Sequence, residues 1–146
     1  MIAFFSDVAA TAALDFEAAI RRVLTSHWYV LGQEVGQFES SFAAYVGVPH
    51  CTSVANGTDA LEIALRGLGV TRGDSVITVA NAGFYTSTAI HAIGAVPIYA
   101  DVDETSLTLS PQELAKALLL RPKCVVVTHL YGRVADMDSI LSICRA

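Results

Sequence analysis

The sequence predicts an α/β fold with a largely parallel sheet and helices on both of its faces, and three observations carry that prediction. Short apolar runs without polar alternation, which suit strands covered on both sides, recur from residue 51 onward. Helical patterns of about ten residues stand between them, the alternation that builds βαβ units. Glycines 69, 73 and 94 punctuate the boundaries. A chain of 146 residues, 53% of them hydrophobic, is long enough for one packed domain.

Two amphipathic helices come first. Ala13 to Thr25 carries Leu14, Phe16, Ile20, Val23 and Leu24 on one side, and Gln33 to Val46 carries Val35, Phe38, Phe42 and Tyr45 as its stripe. Between them His27-Trp28-Tyr29-Val30-Leu31-Gly32 reads as an aromatic connector, in which Trp28 and Tyr29 either line a surface or pack in the core. Residues 1–50 thus form an N-terminal helical part, and residues 51–146 a run of βα units.

Cys51 to Ala55 is expected as a short strand and Thr58 to Leu68 as a helix, with Leu61, Ala64, Leu65 and Leu68 at helical spacing. Ser75 to Ala80 follows as a strand, Tyr85 to Ile93 as a helix ended by Gly94, and Val96 to Ala100 as a third strand. Ser110-Pro111-Gln112-Glu113 combines an N-cap serine, a proline at the first helical position and a glutamate at the third. It opens a helix from Pro111 to Leu120. Cys124 to Thr128 is the fourth strand, His129 to Gly132 a turn, and a last helix runs from about Asp136 to the final residue.

Bulk properties narrow the function. A net charge of −5 with nine scattered Lys and Arg residues offers no basic stripe for nucleic acid. No stretch reaches the roughly 20 apolar residues of a membrane span. The apolar opening Met1-Ile2-Ala3-Phe4-Phe5 lacks a basic flank, so a secretory signal is not expected and the reading is cytoplasmic. Three cysteines without CxxC spacing read as reduced thiols, Cys51 and Cys124 as buried ones. His27, His50, His91 and His129 are too far apart in sequence to suggest a zinc site.

Asn56-Gly57-Thr58-Asp59 lies between an apolar run and a helix, where the first backbone N–H groups have no internal partner and an anion fits. Glycine permits close approach and threonine adds a hydroxyl donor. The plain alternative is that Asn56 or Thr58 caps the helix and Asp59 offsets its dipole. Neither GxGxxG nor GxxxxGK[ST] occurs, which removes the usual support for dinucleotide and Walker-type sites.

The same block sits in a longer string. Trp28-Tyr29-Val30-Leu31-Gly32, Glu34, Phe38-Glu39, Phe42-Ala43, Tyr45 and Gly47-Val48 precede Val54-Ala55-Asn56-Gly57-Thr58-Asp59-Ala60-Leu61. Gly73-Asp74-Ser75-Val76-Ile77, Gly94-Ala95-Val96-Pro97, Asp101-Val102-Asp103, His129-Leu130-Tyr131-Gly132 and Ala135-Asp136-Met137-Asp138 follow it. This co-linear set resembles the DegT/DnrJ/EryC1/StrS family of sugar-nucleotide aminotransferases over nearly the whole chain.

The resemblance implies the N-terminal part of the large domain of a fold-type-I transferase dependent on pyridoxal 5'-phosphate (PLP). It implies that the cofactor phosphate rests on the helix that Gly57 and Thr58 open, with Asn56 and Asp59 supporting the turn. It also implies an aromatic ring over the pyridine from the loop Asn81-Ala82-Gly83-Phe84-Tyr85-Thr86. Strict register puts Gly83 at the ring position, which leaves Phe84 or Tyr85 to supply the stack through a local shift, or both to pack in the core.

His129 falls at the end of the fourth strand, on the side where open α/β sheets bind ligands, and either meets the cofactor or satisfies a backbone carbonyl in its turn. Asp136 and Asp138 read as first-turn helix residues, and Asp101 and Asp103 as loop anchors.

PLP chemistry needs a lysine amine and a carboxylate at the pyridine nitrogen. The only lysines, Lys116 and Lys123, fall in a helix and ahead of a strand. The resemblance implies that the functional aspartate and lysine lie beyond Ala146. The chain is therefore expected to be a fragment, a truncated product or one part of a split protein, and not to transaminate alone.

For the complete protein the resemblance implies a homodimer that moves an amino group, typically from glutamate, to a keto group on a nucleotide-linked sugar. The rival readings are a PLP-dependent sugar dehydratase of the same family and a non-catalytic α/β module that binds a phosphorylated ligand.

Overall fold

The computed structural model describes residues 7–145, so the helical state expected of Ala146 lies outside the described residues. The chain divides into two compact units, Met1–Ser53 and Val54–Ala146.

Among the described residues the first unit holds three helices: α1 (Val8–Thr11), α2 (Phe16–Ser26) and α3 (Gln33–Val46). α1 was not expected from the sequence, and α2 starts three residues later than its apolar pattern suggests. Its start is set by Asp15, whose carboxylate accepts the Ala18 amide at 3.0 Å. Gly32 is required in the connector, because a Cβ there would sit 2.8 Å from the Trp28 carbonyl oxygen.

α3 ends at Gly47, whose φ of 79° allows its amide to close on the Ala43 carbonyl. A two-pronged pair links the helices, with Arg22 Nε and Nη2 donating to Glu34 Oε1 and Oε2 at 2.6 and 3.0 Å. The apolar stripes stay open: Phe16, Ile20, Leu24, Phe38, Phe42 and Tyr45 are all exposed, and Ala43 is the one buried residue of α3. Trp28 and Tyr29 are exposed too, so they are surface residues and not core.

The second unit contains a three-stranded parallel sheet in the order β2-β1-β3, made of β1 (Ser75–Thr78), β2 (Val96–Tyr99) and β3 (Cys124–Val125). Alternation along β1 sends neighbouring side chains to opposite faces. Val76 packs with Leu65, Ala89, Ile90 and Ile93 of α4 (Gly57–Gly67), α5 (Tyr85–Ala92) and the residue after α5. Ile77 packs with Leu109, Leu114, Ala117 and Ile140, which belong largely to α6 (Pro111–Ala117) and α7 (Met137–Arg145). The parallel sheet with helices on both faces is thus the α/β fold the sequence predicts.

Several elements differ from expectation in extent. Cys51 to Ala55 forms no ladder among the described residues, since a strand needs a neighbour to bond with. β1 stops at Thr78, short of the expected Ala80. β3 stops at Val125: Val126 N still donates to Ile77 O at 2.8 Å, but β3 is an edge and its apolar run through Thr128 is only half-buried. The helix from Pro111 tightens into a 3₁₀ turn at Leu118–Leu120, because Arg121 adopts φ 53° ahead of Pro122.

Cys51 and Cys124 are half-buried where burial was expected, and Cys144 is exposed; all three are free thiols. Partial burial pushes the Cys124 thiol above its ordinary pKa. No described helix is long and apolar enough to cross a membrane.

Leu65 ties α4 to the sheet and is 2% exposed. Leu65→Ala is expected to destabilise the second unit by about 2–5 kcal/mol in urea titration, from lost burial plus the cavity left behind. A change below about 1 kcal/mol would show that α4 is not held by this contact.

Candidate functional site

The amino end of α4 is built by its own sequence. Asn56 takes an extended backbone, its Oδ1 accepts the Asp59 amide at 2.9 Å, and its Nδ2 donates to Asp59 Oδ2 at 3.0 Å. Ala60 N bonds the Asn56 carbonyl at 3.1 Å. The capping role of Asn56 is therefore real, yet it leaves the corner open. The Gly57 and Thr58 amides and the Thr58 hydroxyl bond no described residue, and a Cβ added to Gly57 would meet nothing within 4 Å. Two aligned N–H donors, a hydroxyl and free space at a helix start fit a phosphate oxyanion.

The parallel sheet decides where the other candidates gather. Its three strands point their carboxyl ends to one edge, so the loops after β1, β2 and β3 emerge side by side there. α4 returns its carboxyl end to the amino end of β1 through residues 68–74, so its amino end stands on that same side. A cavity of about 300 Å³ opens at this edge, lined by Ala80, Asn81, Tyr99, Ala100, Asp101 and Val102. Cavities of about 600 and 580 Å³ lie elsewhere, and none of the three is lined by Asn56, Gly57, Thr58, Asp59, Phe84, Tyr85 or His129.

In the loop after β1, Gly83 and Phe84 are consecutive left-handed residues, with φ 69° and 67°. That conformation is costly for phenylalanine and marks a backbone held in place by its surroundings. Phe84 is 74% and Tyr85 66% exposed, so neither packs in a core formed by the described residues. The Tyr85 ring lies over Gly83: a Cβ at position 83 would approach Tyr85 Cε2 and Cδ2 at 3.1 and 3.3 Å. Asn81 Nδ2 anchors the loop to the Leu107 carbonyl at 2.9 Å. Sequence reasoning did not single out Asn81 as an anchor, because a lone asparagine in a loop carries no pattern.

His129 differs from the expected bond to a carbonyl. Its Nδ1 accepts the Ala135 amide at 3.1 Å. The reversal at Tyr131 (φ 55°) and Gly132 (φ 72°) explains this, since Leu130 and Arg133 satisfy each other's amides and carbonyls and the chain returns the Ala135 N–H toward the ring. The Arg133 guanidinium reaches the Thr105 carbonyl, a second anchor the sequence did not reveal.

The acidic residues serve the frame. Asp136 accepts the Ser139 hydroxyl at 2.7 Å and amide at 3.1 Å, and these bonds hold its carboxyl below the usual range. Asp103 is held low in the same way by Ser106 and the Thr105 amide. The two lysines stay away from the ligand edge: Lys116 pairs with Glu113 on α6 at 2.6 Å, and Lys123 precedes β3 at its amino end.

The sequence model of the DegT/DnrJ/EryC1/StrS aminotransferase family matches residues 11–146. The chain belongs to that family. A relative from Aneurinibacillus thermoaerophilus, dTDP-3-amino-3,6-dideoxy-alpha-D-galactopyranose transaminase, is 40% identical over 126 residues, which are 86% of this chain and 35% of that protein.

The crystal structure of S. venezuelae DesV in complex with a ketimine intermediate superimposes with a TM-score of 0.88 at 39% identity, over 99% of this chain and 39% of that one. NtdA from Bacillus subtilis, solved with bound cofactor PMP, gives 0.82 at 27% identity, over 99% of this chain and 35% of that one. The chain thus spans about a third of the length of the curated relatives it matches.

The Asp136 bonds set a pH dependence. A depressed folded pKa contributes stability above the ordinary carboxylate range, near pH 4, and that contribution is lost as pH falls through the folded value. Asp136→Asn is expected to be less stable than the parent at pH 6, with the gap closing toward pH 2.5, in thermal melts across that range. A gap independent of pH would mean that the charge on Asp136 does not matter.

Proposed function

We propose that this chain is the N-terminal part of the large domain of a fold-type-I, PLP-dependent aminotransferase, one that moves an amino group from an amino-acid donor to a keto group on a nucleotide-linked sugar. The observation that carries the reading is the open corner at Gly57 and Thr58, set in a chain of this family. When bound there, PLP supplies the electron sink that amino transfer needs. The protein's share is binding and orientation.

Asn56 and Asp59 hold the turn, while the Gly57 and Thr58 amides and the Thr58 hydroxyl receive the phosphate. Tyr85 is assigned the aromatic face over the pyridine. Its support is the ring's position over Gly83, where a side chain in strict register would project. His129 stands at the same edge.

The fragment is assigned no transaminase activity of its own, since neither lysine faces that edge. The complete enzyme is assigned a homodimeric form; the open apolar stripes of α2 and α3 suit burial against further protein. Three free thiols suit a reducing, cytoplasmic setting.

Two variants test the cofactor corner. Gly57→Leu is expected to keep its circular dichroism and melting point, because the added side chain meets open space, yet to weaken PLP binding at least about tenfold by filling the phosphate cradle. PLP binding should also be competed by inorganic phosphate, without a lysine-linked absorption band from the docked cofactor. A band that grows in the parent chain and disappears in Gly57→Leu would overturn the assignment of inactivity.

A second pair tests the ring. Tyr85→Ala should weaken PLP roughly two- to tenfold while leaving inorganic phosphate binding unchanged, and Phe84→Ala should change neither. Fluorescence titration separates these outcomes, and the reverse ranking would reassign the stack to Phe84.

A further inference from the structure

His129 is pinned on one side and free on the other. Its Nδ1 accepts the backbone N–H of Ala135 at 3.1 Å. An amide nitrogen only donates, so the accepting ring nitrogen carries no proton and the neutral imidazole keeps its proton on Nε2.

The pin itself is firm. Ala135 is 3% exposed and packs in the cluster of Ile77, Leu114 and Ile140. The intervening loop is closed by the paired amides and carbonyls of Leu130 and Arg133 and by the Arg133 contact with the Thr105 carbonyl. No hydrogen bond among the described residues uses Nε2, and His129 is exposed beyond the end of β3. A fixed, unspent donor therefore stands at the carboxyl edge of the sheet.

We propose that His129 Nε2–H donates a hydrogen bond to an oxygen of the ligand bound at this edge, and that the Ala135 amide selects the tautomer that makes this possible. The proposal rests on the cofactor reading above. The acceptor is an oxygen of the phosphate or the hydroxyl of the pyridine ring. A role confined to stapling the loop would need only Nδ1, and this difference makes the two roles separable. Asparagine carries its carbonyl oxygen near the position of Nδ1 and nothing near Nε2, so it keeps the staple and deletes the donor. Glutamine reaches toward Nε2 and loses the staple.

The experiment is nuclear magnetic resonance on the ¹⁵N-labelled 146-residue chain, titrated first with inorganic phosphate and then with PLP. In the free chain, Nδ1 of His129 should resonate as an unprotonated nitrogen and Nε2 as a protonated one. On ligand addition, the Nε2–H signal should shift together with the Gly57 and Thr58 amides. A shift with phosphate alone assigns the acceptor to the phosphate, and a shift only with PLP assigns it to the ring hydroxyl.

His129→Asn should keep its melting point and lose roughly tenfold in PLP affinity. His129→Gln should melt lower and retain most of that affinity. A protonated Nδ1 in the free chain would overturn the inference. So would Gly57 and Thr58 responding while the His129 ring stays still and His129→Asn binds as tightly as the parent, an outcome that leaves the cofactor reading standing. Silence of the Gly57 and Thr58 amides at saturating PLP would remove that reading and this inference together.

Discussion

Burial of β1 on both faces is the constraint from which the second unit follows. Val76 and Ile77 are both fully buried, and strand alternation forces them into separate cores. Each core needs its own cover, which α4 and α5 provide on one face and α6 and α7 on the other. Parallel pairing with β2 and β3 then excludes tight hairpins and demands crossover helices. The carboxyl ends of all three strands consequently share one edge. The candidate site occupies that edge because the topology leaves its loops together.

At Asn56 to Asp59 the cap leaves part of the helix start unused. Asn56 and Asp59 bond each other and use one of the orphan amides of α4. The two amides before it remain for an external acceptor. The turn after β3 repeats the pattern, since the ring of His129 uses one nitrogen for the loop and presents the other outward.

The first unit is organised differently. Its helices are set by Asp15, Gly32, Gly47 and the Arg22–Glu34 pair, so their definition comes from caps and backbone geometry more than from burial. The apolar stripes they carry are exposed, as are Val96 and Tyr99 on β2, an end strand of the sheet in the second unit.

Local chemistry was legible in the residues themselves. The serine, proline and glutamate at positions 110, 111 and 113 announced α6, and the glycine at 94 marked a helix end, because caps and left-handed turns depend on a few neighbouring side chains. The spacing of apolar runs likewise declared an α/β sheet with helices on both faces, and the Asn56–Asp59 block declared a capped helix start. What required the tertiary structure was everything that depends on a partner distant in sequence. Cys51 to Ala55 has strand composition but no neighbouring strand among the described residues. Tyr85 covers Gly83 only because two left-handed residues turn it back. His129 finds an amide instead of a carbonyl because a reversal six residues long returns Ala135 to it. Side-chain types define what a residue can bond, and only the path of the chain defines which group arrives.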